Sequence, residues 1–405
     1  MKWFMSWNKR RLRDKSKNNE LILVVGKGSS KLGDLIFDYS NNLFLSTISK
    51  SSHLLAIYQC TDISIRAMSN LFGGALCDKK DRKSIMIATD LLCAILCFGF
   101  SVFYSKRSAA ITMIILNLFI TSMCAINAPA YRAIAKEAVQ MDRIGSFNSL
   151  LNTVSSCVAI FGPLVAMELY VNLGARCCLL VNAITFLSSA ILESMIRISN
   201  ADVYDKRFAA RNNQAVITDI LDGFRYLKAN QNIFGIILIS SLVNFFLAGY
   251  NLCLPYFNEY YKSEYAYMVA LIYGSIGGLV GSILNLIWGK KRDKKIMMPL
   301  FLCGISLVFF PILSDTHYLA GLLPNMFFSA FLTVFNIRFI STVQHLTEND
   351  YLGRVLSIVY SVATLLMPVG TILFSVLNIT DSVRVLGIIG VALAILSMRL
   401  KKFTL

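Results

Sequence analysis

Apolar runs long enough to cross a bilayer recur along the whole chain, and this feature decides what it can fold into. Such runs lie near residues 20–48, 53–76, 84–105, 108–134, 146–171, 176–197, 231–258, 265–288, 296–314, 317–343, 352–377 and 382–399. A spanning helix needs about 20 mostly apolar residues. In lipid each backbone polar group must be paired internally, so an open sheet is excluded and helices are expected. Hydrophobic residues make up 56% of the 405 and charged residues 15%, whereas soluble domains carry about 25% charged residues. The expectation is an all-α polytopic membrane protein with twelve transmembrane helices. A cytosolic enzyme, a secreted disulfide scaffold and a disordered chain do not fit.

The formal charge is +16. In a soluble protein that excess would suggest nucleic acid. Here the basic residues gather in alternate loops, as the positive-inside rule requires, so lipids are the expected partner and nucleic acid is not. One side holds Lys9, Arg10, Arg11, Arg13, Lys15 and Lys17, then Lys79, Lys80, Arg82 and Lys83, then Lys136 and Arg143, then the central loop. It also holds Lys290, Lys291, Arg292, Lys294 and Lys295, then Lys401 and Lys402. The other side holds Lys50, Lys106, Arg107, Arg176, Lys262 and Arg384. Both termini and the central loop are therefore expected in the cytoplasm. The division is a basic cytoplasmic arm over 1–19, a six-helix bundle over 20–197, a cytoplasmic loop over 198–230, a second six-helix bundle over 231–399 and a cytoplasmic tail over 400–405. No cleavable signal peptide is read at the start. The 10 cysteines form no CxxC pair and read as small buried hydrophobes, with neither metal nor disulfides expected.

Two short patterns repeat at almost one offset. Gly74-x-x-x-Asp78 precedes a basic loop, and Gly281-x-x-x-Asn285 precedes another. Asp142-Arg-Ile-Gly145-x-x-x-Ser149 is echoed by Asp350-Tyr-Leu-Gly353-x-x-x-Ser357. These pairs fall at equivalent spans of the two halves and suggest a duplicated six-helix unit, the arrangement of the major facilitator architecture.

The segment Gly74-Ala-Leu-Cys-Asp78-Lys79-Lys80-Asp81-Arg82-Lys83 resembles the loop signature of major facilitator transporters. Asp81, Ile85-Met86-Ile87, Asp90-Leu91, Asn127-Ala-Pro129, Gly162-Pro163 and Gly353-Arg354 are similar to the macrolide-efflux-like branch. The resemblance implies a gating role for Gly74, Asp78 and Arg82. Gly74 permits close helix approach, and Asp78 can pair with Arg82 or face a helix N-terminus. Lys79, Lys80 and Lys83 read equally well as topogenic charge.

The first span carries Lys27, Lys31, Asp34 and Asp38. Spacings of four and three put them on one helical stripe. Ionisable groups at bilayer depth cost about 2.5–3.5 kcal/mol each, and so face a bundle interior or a wet cavity. Lys31, Asp34 and Asp38 are candidates for proton coupling and the substrate cavity, with Asp62, Arg66, Glu168 and Arg338 as partners from other spans. Asp38 lies farther than Asp34 from Lys31 and is the better proton carrier. A static network of Lys31 with Asp34 and Asp38 with Arg66 is the structural alternative. Lys27 reads either as a stripe member or as a boundary lysine. Gly26 to Lys31 lacks the spacing of a phosphate-binding loop, and His53, His317 and His345 are too scattered for a metal site.

Together these features describe a secondary transporter, a monomer without cofactor, multi-pass in the plasma membrane. The expected activity is proton-coupled efflux of an amphipathic small molecule. Transport of a peptide- or siderophore-type metabolite in either direction, or a non-transporting receptor or immunity protein on the same fold, are the alternatives.

Overall fold

The computed structural model describes residues 2–48, 52–76, 82–104, 108–196, 230–288, 297–314, 316–348, 352–377 and 381–399, with Arg225 and Leu227. The helices are α1 (Lys2–Ile48), α2 (His53–Leu76), α3 (Arg82–Val102), α4 (Ala109–Ala138) and α5 (Ile144–Ser194). They continue with α6 (Gln231–Cys253), α7 (Phe257–Tyr260), α8 (Ala266–Trp288), α9 (Met297–Leu313), α10 (Tyr318–Gly321) and α11 (Leu323–Leu346). The last are α12 (Leu352–Thr364), α13 (Leu366–Ser375) and α14 (Ser382–Arg399). No strand occurs among the described residues.

Among the described residues, 8 helices are long and apolar enough to cross a bilayer, and the apolar α9 is shorter. The more polar α1 and α2 are not in that set. One of the 8, α5, is 51 residues long and contains two of the segments read from the sequence. Its break is at Gly174, where φ is +75°. That left-handed conformation is open to glycine and strained for other residues. The helix α1 runs unbroken from Lys2 to Ile48.

Many large apolar side chains face outward, among them Phe103, Leu286 and Val376. In water such a surface would be an aggregation hazard; here it is the lipid-facing belt of a multi-pass protein.

The chain divides into two compact units: Met1–Asn41 with Phe72–Val216, and Asn42–Leu71 with Ile217–Leu405. In the first unit α3 packs on α4 and α5. Two apolar clusters form its core. One contains Leu23, Met86, Tyr131, Phe147 and Ile196. The other contains Phe37, Cys93, Cys97, Ile120 and Phe186.

In the second unit α9 packs on α14, α8 on α11, and α6 on α12 and α13. Residues 42–71, first-half by order, pack here. Pro368 lies in the first turn of α13, where a missing N–H costs little because those donors have no intrahelical acceptor.

Gly281 shows what its place in the repeated pattern is for. A Cβ there would lie 2.2 Å from the backbone oxygen of Ala330, so α8 and α11 meet backbone to backbone. Gly281→Ala should destabilise the protein by about 1–3 kcal/mol through overpacking. Gly99→Ala is the matched control, because nothing lies within 4 Å of a Cβ there. Thermal melting of the two purified variants checks this; equal melting temperatures would count against the close contact.

Candidate functional site

The stripe on α1 lies in the first unit. Lys27, Asp34 and Asp38 are half-buried, Lys31 is exposed and Asn41 is buried. The Lys27 ammonium sits 5.4 Å from the ring centroid of Tyr131 on α4. It therefore points into the unit as a cation over an aromatic face, not out to a membrane boundary. Asp34 is within electrostatic reach of Cys97 on α3 and Cys124 on α4. Lys27 and Asp34 thus face the interior of their own unit.

The other candidates are distributed differently. Glu168 on α5 is exposed and accepts from Asn172, one turn on, at 2.5 Å. Asp62 and Arg66 belong to the second unit, where the Arg66 Nε donates to both Asp62 oxygens at 3.0 and 2.9 Å. This i,i+4 pair is internal to α2. Arg338 is half-buried on α11, also in the second unit. The structure therefore groups Lys31, Asp34 and Asp38 on one face and joins Asp62 to Arg66.

Of the loop signature, Gly74 lies on α2, and Asp78, Lys79 and Lys80 lie outside the described residues. Arg82 opens α3, and its Nη1 donates to Glu137 Oε1 at the end of α4. The sequence offered Asp78 as the partner; Glu137 was not anticipated, being 55 residues away in the chain. Lys83 does more than supply topogenic charge. Its Nζ donates to the carbonyls of Ser194 at 2.7 Å and Ile196 at 2.9 Å. A cation on the unpaired carbonyls at a helix C-terminus is favoured by the helix dipole. Glu20 and Arg143, far apart in the chain, pair at 2.7 Å and join α1 to the turn before α5. Basic residues of the signature region thus fasten the ends of α3, α4 and α5.

Glu137 is 37% exposed, so the Arg82 pair should contribute about 1 kcal/mol after screening. Arg82→Gln is expected to slow transport about five-fold. Glu137→Gln should match it, and the double variant should be no worse than either single. Expression-normalised initial rates check this; additive losses would show that the two side chains act separately.

A second polar group lies deeper in the first unit. Asp90 on α3 and Glu193 on α5 are each 5% exposed. The Asn127 amide donates to Asp90 Oδ1 at 3.0 Å and to the Thr89 hydroxyl at 2.9 Å. Ser189 donates to Asp90 as well. Lys27 is within electrostatic reach of both acids. Asp90 and Asn127 entered the sequence reading as part of a resemblance, and Glu193 did not enter it at all.

The model of the family described as Major Facilitator Superfamily matches residues 38–398. The chain belongs to the major facilitator superfamily. It is therefore a multi-pass membrane transporter and not an enzyme. Macrolide efflux protein A of Streptococcus pyogenes is 26% identical over 319 residues, covering 74% of either chain. Macrolide efflux protein A of Enterococcus faecalis is 25% identical over 316 residues, covering 73% of this chain and 92% of its own. The solved nucleoside transporter NupG superposes with a TM-score of 0.75 at 14% identity, over 95% of this facilitator and 99% of that one. At that identity the likeness is one of fold.

Proposed function

We propose that this facilitator is a proton-driven exporter of amphipathic small molecules, with macrolide-type compounds as the first class to test. The observation that carries the reading is the stripe on α1, where the half-buried Asp34 and Asp38 share a helical face with Lys31. Ionisable groups at bilayer depth are costly, and a polar pathway is what retains them. Similarity to macrolide efflux proteins supports the export direction.

In this reading the chain crosses the plasma membrane twelve times as two six-helix halves, 20–197 and 231–399, and works as a monomer. The basic arm, the loop over 198–230, and the tail face the cytoplasm. The halves alternate access to a midplane site. Gly74, Asp78 and Arg82 form the gate, and Glu168, Asp62, Arg66 and Arg338 border the cavity or its approaches. No cofactor takes part; carboxylates on the stripe hold and release protons.

Inside-out membrane vesicles loaded at acidic pH and offered a labelled macrolide test this. Accumulation that collapses with a protonophore is expected. Counterflow that proceeds without any response to the gradient would remove the proton. No counterflow with macrolide, peptide or siderophore probes would favour a non-transporting receptor or immunity protein.

A further inference from the structure

We infer that Asp90 and Glu193, with Lys27 beside them, form a buried proton-holding site in the first unit, and that Glu193 carries the proton. This deepens the proposed function and rests on it for the claim that the proton is transported.

The placement comes first. Asp90 lies between Met86 and Cys93 on α3, and Glu193 between Phe186 and Ile196. Met86 and Ile196 belong to one apolar cluster and Cys93 and Phe186 to the other. The acids therefore sit where the two cores meet, each buried among apolar side chains.

The second consideration is charge balance. The cluster holds two carboxylates and one ammonium. Burying an uncompensated charge costs several kcal/mol, and two like charges together are disfavoured. One proton on one acid brings Lys27, Asp90 and Glu193 to neutrality. Other titratable groups facing the cluster do not supply the missing charge. Tyr131 on α4 faces Glu193, and Cys124 on α4 faces Lys27 and Cys93; each is neutral when protonated. Lys31 and Asp34, farther along α1, carry opposite formal charges and add nothing to the sum. Lys83 is occupied by the carbonyls at the end of α5.

The third consideration says which acid takes the proton. Asp90 accepts from Asn127 and Ser189, two neutral donors that favour an anion. Glu193 Oε2 is buried and no donor reaches it among the described residues. A buried carboxylate oxygen without a donor is expensive. Protonation turns that oxygen into a donor and removes the charge.

The repeat argues against a need of the fold. The repeated patterns on either side differ by 207 and 208 residues, which sets Asp90 against Met297 or Met298 and Asn127 against Val334 or Phe335. Met297, Val334 and Phe335 are buried and apolar. Neither offset sets a carboxylate or an amide there.

A cavity lies beside the end of α5. It measures about 550 Å³ and is lined by Asn19, Ile22, Lys83, Ser194 and Ile196, and Ser194 is the residue after Glu193. By the proposed topology it opens to the cytoplasm. Along α1, Lys27 and Asp38 are 11 residues apart, about 16 Å at 1.5 Å per residue.

The test uses the full-length protein in lipid nanodiscs and reads the infrared carbonyl stretch of protonated carboxylic acids. Charge balance makes three distinct forecasts. Glu193→Gln removes one acid band. Asp90→Asn also removes it, because Lys27 then balances Glu193 as an anion. Lys27→Met about doubles it, because both acids become neutral. A structural hydrogen-bond role would not produce that pattern, and Lys27→Met reads the balance even where Glu193→Gln does not fold. An acid band unchanged by Glu193→Gln, or by Lys27→Met, would overturn the site.

In vesicles Glu193→Gln should lower gradient-driven accumulation at least ten-fold and preserve counterflow. Wild-type accumulation by that variant would overturn the claim that this proton is carried. If the wild-type protein shows the band pattern but no gradient-driven transport of any probe, the export reading fails and the site stands.

Discussion

Asp38→Asn is expected to abolish gradient-driven accumulation while leaving substrate binding and counterflow near the wild-type level. Asp38 is half-buried on the face of α1 that also presents Lys31 and Asp34. Asparagine keeps its size and most of its hydrogen bonds but cannot take and release a proton. A transporter that must load a proton at Asp38 to complete its cycle then runs only as an exchanger. Asp34→Asn should act differently. Asp34 faces Cys97 on α3 and Cys124 on α4 in the interior of the unit, so this change should lower the melting temperature and every activity together. The structure also narrows the other choices. Asp62 bonds Arg66 through both oxygens, and Glu168 is bonded to Asn172. Vesicle accumulation and counterflow, measured side by side with melting curves, decide the matter. Wild-type accumulation by Asp38→Asn would remove Asp38 from coupling.

What the sequence could show follows from how local each signal is. Length and hydropathy of a span are properties of some 20 consecutive residues, so the all-helical membrane architecture was readable. The stripe on α1 was readable because helical period needs only one element. The signature around Gly74 and Arg82 was readable as a short motif, and it led to the family. Partnerships between helices were not. Arg82 meets Glu137, Lys83 meets Ser194 and Ile196, and Asp90 comes near Glu193 only once α3, α4 and α5 have packed. Glu193 stands one residue from the end of α5, where a charged side chain reads as interfacial, yet it is 5% exposed. Lys27 was ambiguous for the same reason: whether its long side chain snorkels outward or turns inward is set by Tyr131, on a different helix. The packing of residues 42–71 with the second unit has no signature in the order of the chain, because compactness follows contacts and not sequence.

That packing supports the largest effect expected of any change. A seam of polar contacts joins α2 to α12 and α13 within the second unit. Ser52 Oγ donates to the Ser375 carbonyl at 2.5 Å, and His53 Nδ1 lies 3.2 Å from Ser375 Oγ. Cys60 Sγ donates to the Pro368 carbonyl at 3.5 Å, and Ser361 Oγ donates to the Ala67 carbonyl at 3.3 Å. Each such bond contributes about 0.5–1.5 kcal/mol net. Together they amount to a few kcal/mol, the range within which two conformations of one protein exchange. If the halves rock as proposed, α2 must leave α13 once per cycle. Joining Ser52→Cys to Ser375→Cys with a short thiol cross-linker should then stop transport outright, and cleaving a reducible linker should restore it. Each single variant treated with the same reagent is the control for native thiols, of which Cys157 is exposed and Cys60 lies on the seam itself. Full transport by the cross-linked protein would mean that α2 travels with the second half throughout the cycle, and the moving boundary would then lie between α1 and α2 and not at this seam.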